Sequence, residues 1–342
     1  MKTLLDVILA QSSRQSREFE ARQPNRFRKP GRRGNNTPPT VAPRPRSYRG
    51  HAVSAAEYAA ARAAATAAAI TAAVKPVVAG AKNVVAAVGD KGKTLYLPIN
   101  LGSSGREPVG IYVPKGFTPG KAVDFILYLH GHKAGCRPVS TNMKDYWRDK
   151  QFPLREKVQA AQKNIILIAP TLGSLSEVGW LETPGGFDRF WERVITGLKQ
   201  QSVIPDESAL GNLFLSGHSG AGSPMRRILN LSDGTVKNIR EVWVFDGLYY
   251  AKGGTPDGLV KSWEEWAKKN PSVSFFTYYN EYKDNSCGKD ESTKRPCAAS
   301  KALKNKNLPN VTAIPTLLKH CQIPGAFIEE RTKGAALLAN LS

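Results

Sequence analysis

The chain has 342 residues, of which 41% are hydrophobic, so it can hold one large α/β domain with an appendage or two average domains. No stretch approaches the roughly 20 consecutive apolar residues that a membrane-spanning helix needs, which excludes that class of anchor from the segments read here. The formal charge of +21 directs attention to anionic partners such as nucleic acid, acidic lipid or a polyanionic polymer, without choosing among them.

In chain order, M-K-T-L-L-D-V-I-L-A-Q opens with a lysine and a short apolar run that Asp6 interrupts. Leu5, Ile8 and Leu9 have helical spacing, so the segment reads as a docking or targeting address more than as a cleavable leader. Secretion, export or delivery by a non-standard signal is therefore expected in preference to a cytoplasmic location. Residues 1–50 carry twelve Lys or Arg against three Asp or Glu, a net +9. Within them, residues 21–50 combine Pro, Gly and Arg with almost nothing to bury, and are expected to be disordered or extended. This arm is the candidate for attachment to an anionic surface or polyanion. Residues 52–73 then hold fourteen alanines and no Pro or Gly, which predicts a helix that Pro76 ends. Alanine buries little area, so residues 51–91 are expected to be a spacer before a folded domain over 92–342.

From there short β-branched and aromatic runs alternate with helical stretches. K-T-L-Y-L-P-I, V-G-I-Y-V-P, D-F-I-L-Y-L-H, N-I-I-L-I-A-P, N-L-F-L-S, E-V-W-V-F-D, S-V-S-F-F-T-Y-Y and N-V-T-A-I-P predict eight strands. Several are continuously apolar, as strands covered on both faces are, and segments such as 186–201 are long enough for crossover helices. The expected fold class is α/β, with a doubly wound, mostly parallel eight-stranded sheet.

The fifth run leads into G-H-S-G-A-G at residues 217–222, and S-P-M-R-R-I-L-N-L follows, able to start a helix. A serine on a tight strand-to-helix turn among small residues resembles the nucleophile elbow of α/β-hydrolase serine esterases and lipases. Gly217, Ser219 and Gly220 fit the G-x-S-x-G pattern, whereas Ala221 stands at its last position with Gly222 one further on. The resemblance implies Ser219 as nucleophile and, from the H-G pair ending the third strand in L-Y-L-H-G-H-K-A-G, an oxyanion hole built from backbone N–H groups of His132 or Lys133 and of Gly220. It places the base after the last strand, where T-L-L-K-H-C-Q-I-P offers His320. Three carboxylates could orient that base. Asp246, ending V-W-V-F-D, is preferred because a carboxylate after a buried run needs a partner; Glu281 and then Asp284, after the seventh strand, are the alternatives.

The loop over 173–191 is rich in Trp, Phe and Gly, and Trp180 and Phe187 are candidates to line an apolar acyl site, or else simply core. Cys287 and Cys297 bracket a polar loop that a disulfide would hold outside a reducing compartment. Cys136 and Cys321 fall near one mouth if the resemblance holds and offer a second bridge. No Cys or His spacing supports a metal site, and no cofactor is implied. The expectation is thus a serine hydrolase cleaving an ester, less readily an amide, through an acyl-enzyme. The competing reading from another class is an inactive hydrolase-like domain whose arm binds nucleic acid or another polyanion.

Overall fold

The structure, a computed structural model, describes residues 87–89, 92–102, 108–138, 140–282 and 284–339, all within one unit spanning Pro76–Ser342. The basic arm, the alanine-rich spacer helix and the docking segment lie outside the described residues.

Among the described residues nine strands form one sheet: β1 Ala87–Gly89, β2 Gly92–Leu97, β3 Val109–Val113, β4 Ala122–Leu129, β5 Ile165–Pro170, β6 Ala209–His218, β7 Ile239–Phe245, β8 Ser274–Asn280 and β9 Val311–Thr316. Their order is β1-β2-β3-β5-β4-β6-β7-β8-β9. The first three pair antiparallel, β3 meets β5 antiparallel, and β5, β4 and β6–β9 run parallel. β2–β9 are the eight strands expected, and with crossover helices on both faces they form the expected doubly wound, mostly parallel α/β sheet. β1 is an addition, a three-residue hairpin arm that turns onto β2.

The helices are α1 Lys133–Cys136, α2 Met143–Tyr146, α3 Leu154–Ala161, α4 Gly186–Gln200, α5 Gly222–Leu229, α6 Asp257–Lys269, α7 Glu291–Lys304 and α8 Ile323–Ala339. Alternate residues of the central strands feed two cores, one on each sheet face. Phe125, Leu127, Leu213, Leu215, Val242 and Val244 pack under α4, α5 and α6, while Ile126, Tyr128, Phe214, Trp243 and Phe245 face α3 and α8. Both sides being covered is why I-I-L-I-A-P in β5 has no exposed position.

Phe187, Phe190, Trp191, Val194 and Leu198 form one stripe of α4 and are all buried. Burial of each stabilises the fold by roughly 1.5–3 kcal/mol. That stripe places Phe187 in the core, the other role expected for it: it is 1% exposed and meets Trp191 edge-on at 6.1 Å. Trp180 is likewise engaged, its indole N–H donating to the Asn100 carbonyl at 2.8 Å and its ring lying 4.3 Å from the Arg189 guanidinium.

Candidate active site

β6 runs straight into the turn that carries Ser219. The serine has φ +54°, in the left-handed region that side chains other than glycine rarely occupy, and a single turn at Ser219–Ala221 leads into α5. Strain of this kind is kept only where surrounding structure fixes it. Two glycines do so. A Cβ on Gly222 would lie 2.0 Å from the Gly247 carbonyl oxygen, and one on Gly131 would lie 2.7 Å from the Ser219 Cβ. The last glycine of the elbow motif and the first of the H-G-H-K-A-G loop are thus where backbone must pass close to backbone or to the serine itself.

The loop after β4 arches over the same point. His130 is fully buried; its Nδ1–H donates to the Gly131 carbonyl at 2.8 Å, and its Nε2 accepts the Leu172 N–H at 3.1 Å. The His132 ring packs against Gly220, and the place a Gly135 Cβ would take is 3.9 Å from Ser219 Oγ. The Lys133 N–H is already donated to the Ser174 carbonyl at 2.8 Å, which removes it as an oxyanion donor in this arrangement.

His320 opens a short turn after β9, and its Nδ1–H donates to Asp246 Oδ2 at 2.6 Å. That bond fixes the tautomer and leaves Nε2 with a free lone pair. Asp246 is fully buried, its other oxygen accepting the Asn280 N–H at 3.3 Å, and burial pushes its carboxyl up against the opposing pull of the His320 hydrogen bond. The two alternative acids are engaged elsewhere. Glu281 pairs with Lys301 and is only 8% exposed; Asp284 is held by Ser286, whose hydroxyl donates to it at 2.6 Å.

Two residues join the site that the sequence did not single out. The Tyr249 hydroxyl is hydrogen-bonded to Ser219, and its ring meets that of His320 edge-on at 6.4 Å. Burial and the Asp246 charge keep the phenol protonated by raising its pKa. His218 donates from Nε2 to the His320 carbonyl at 3.2 Å, bracing the backbone of the neighbouring imidazole. The signal for Tyr249 was its place in D-G-L-Y-Y, three residues beyond a carboxylate at a strand end.

Cys136 and Cys321 are bridged, as are Cys287 and Cys297. The first bridge ties α1 to the turn carrying His320. Cys136 Sγ and a ring nitrogen each of His218 and His320 lie within 4.8 Å of one another, a geometry open to a metal only if the disulfide is reduced. Among the described residues no helix is long and apolar enough to cross a membrane.

The buried histidines bear on acid stability. Burial lowers the His130 pKa to about 4 from an ordinary 6.5, because the charged ring would be cut off from water; His218 shifts the same way, from burial and then from the neighbouring His320. Here the unfolded chain takes up the proton first. Stability held above pH 6.5 should therefore be lost as pH falls toward 4, by on the order of 3 kcal/mol from His130. Thermal midpoints measured across that range should fall less steeply in His130→Gln than in wild type; equal slopes would remove His130 from the account.

No protein-family model matches this chain, and no curated protein matches it. Solved structures similar to it include a serine-to-alanine variant of the feruloyl esterase module from Clostridium thermocellum complexed with sinapinate, 16% identical, with TM-score 0.47 over 72% of this chain and 87% of that one. An arylesterase is 12% identical, with TM-score 0.42 over 76% of this chain and 88% of the other. A thermostable esterase from Pseudomonas putida is 11% identical, with TM-score 0.39 over 81% of this chain and 88% of its own.

Proposed function

We propose that the protein is a serine hydrolase that cleaves an ester through an acyl-enzyme. The observation that carries this reading is the bond from His320 Nδ1 to the buried Asp246, set beside a serine held at positive φ on a strand-to-helix turn. A serine hydroxyl is a weak nucleophile until a base takes its proton, and a base works best when a third group holds its tautomer. In the proposed cycle Ser219 Oγ attacks the ester carbonyl while its proton passes to His320 Nε2, and Asp246 stabilises the imidazolium. The amides of His132 and Gly220 receive the developing oxyanion, a donor whose removal typically costs roughly 3–4 kcal/mol in the barrier. The proton then goes to the departing alkoxide. Water, deprotonated by His320, releases the acid and restores the serine. None of these steps draws on a cofactor.

Leu175, Tyr282 and Leu317 are exposed large hydrophobics, and each follows a parallel strand, β5, β8 or β9, at the end where Ser219 sits. That supports an apolar acyl or aryl group on the substrate. The two disulfides support work outside a reducing compartment. A fluorophosphonate, which phosphonylates an activated serine, should add its mass to the peptide containing Ser219 in the wild-type protein. Labelling elsewhere, or none, would overturn the reading and leave the inactive polyanion binder in its place.

The basic arm is proposed to attach the enzyme to an anionic surface and to take no part in the chemistry. Deleting residues 1–50 removes a net +9 and no proposed catalytic group. Heparin binding should weaken and lose much of its salt dependence, with turnover of a small soluble ester nearly unchanged. An unaltered salt slope would assign polyanion binding to residues 92–342 instead.

A further inference from the structure

The segments G-H-K-A-G-C-R at 131–137 and L-L-K-H-C-Q-I at 317–323 contain three Lys or Arg and no Asp or Glu. The Cys136–Cys321 bridge clasps these two segments together, and Gly135 places the first of them against Ser219 Oγ. Three positive charges are thereby gathered around the nucleophile and base: Lys133, Arg137 and Lys319, all exposed. None of them makes an ion pair with another described residue, whereas Lys157, Arg227, Lys268, Lys301, Lys306 and Lys333 each have a carboxylate partner. Two carboxylates oppose this field in part: Asp246, fully buried and bonded to His320, and Glu177, which accepts the Leu175 N–H at 2.8 Å; the mouth holds three cations against these two acids.

We propose, resting on the serine-hydrolase reading, that the substrate is an amphipathic anionic ester: an apolar acyl or aryl group with a carboxylate or similar anion a few atoms from the scissile carbonyl. Charges separated by less than about 10 Å at ordinary ionic strength act on one another with little screening, so an anion bound at this mouth gains from each cation that comes within that range. The exposed Leu175 and Leu317 flank the same opening and take the apolar part. This selectivity belongs to the catalytic mouth, and the arm plays no part in it.

The test compares two chromogenic esters of equal chain length, p-nitrophenyl hexanoate and the mono-p-nitrophenyl ester of adipic acid. Wild-type kcat/KM should favour the anionic ester by about tenfold at low salt, and the preference should shrink as salt rises. In Arg137→Glu/Lys319→Glu the ratio of the two values should fall to about one or below. Because the ratio is taken within one variant, general damage to folding or catalysis cancels from it. Lys319→Arg should keep the ratio and Lys319→Gln lower it, separating charge from shape. A wild-type ratio of one or less, or a ratio that charge reversal leaves alone, overturns the proposal while the hydrolase reading stands. Hydrolysis of neither ester overturns both.

Discussion

Replacing Ser219 by alanine should lower kcat for short p-nitrophenyl esters by about 10⁴-fold or more, with secondary structure intact by circular dichroism. The size of the loss follows from the serine being the bond-forming atom in the proposed cycle, for which no neighbour can substitute. Its side chain is only 7% exposed, so the residue sits in a packed turn and not at an open one. Packing does not spoil the test. Alanine keeps the Cβ that touches Gly131 and loses only the hydroxyl bonded to Tyr249, and both residue types bear the same strain at φ +54°. Turnover that survived the substitution would remove Ser219 from the mechanism and send the search to another nucleophile.

The second large effect is expected at Asp246. Its amide variant, Asp246→Asn, should reduce kcat by up to about 10⁴-fold, because an asparagine can present an N–H to His320 Nδ1 and so favour the wrong tautomer. The fold should tolerate it: Asp246 has φ +48°, a region asparagine enters readily, and asparagine can still accept the Asn280 N–H. Glu281→Gln is the matched control. It weakens the pair with Lys301, and kcat should stay near wild type. A collapse in the glutamine variant beside near-normal turnover in the asparagine variant would reverse the assignment. Small, equal losses in both would point to Asp284 or to a dyad without an acid.

How far the sequence discloses such a site depends on whether a residue's role is local or tertiary. The central strands are visible because strands covered on both faces carry long apolar runs, unbroken in β5 and reaching from Val242 to Phe245 in β7. β1 has no such signature, since A-V-G is three residues long and becomes a strand only by pairing back onto β2. Ser219 is visible because the elbow needs small residues in fixed order. Asp246 stands out as a carboxylate closing a run of buried side chains. Glu281 misleads for the complementary reason. Its neighbours are polar, yet its own N–H, just past β8, joins the carbonyl of Thr316, the last residue of β9, and Lys301 covers its carboxylate. Phe187 could have been read correctly from the 187, 190, 191, 194 spacing, which marks the inner stripe of a helix and not a loop lining a site. Tyr249 offers no local sign beyond proximity to Asp246, for its approach to Ser219 spans thirty residues of chain.

The bridge between Cys136 and Cys321 joins positions 185 residues apart, and the second of them is the immediate neighbour of the proposed base. Closing so long a loop depresses the entropy of the unfolded chain more than a short bridge does, on the order of 5 kcal/mol in the chain-entropy view. It also sets a chronology. During synthesis the serine, the arch over it and Asp246 all emerge before His320, and the cysteine that locks His320 down is the last of the four to appear. A chain still in a thiol-rich compartment carries every proposed catalytic group with the clasp undone. Oxidation of the Cys136–Cys321 pair would then be the step that fastens the turn of the imidazole to the arch over the serine.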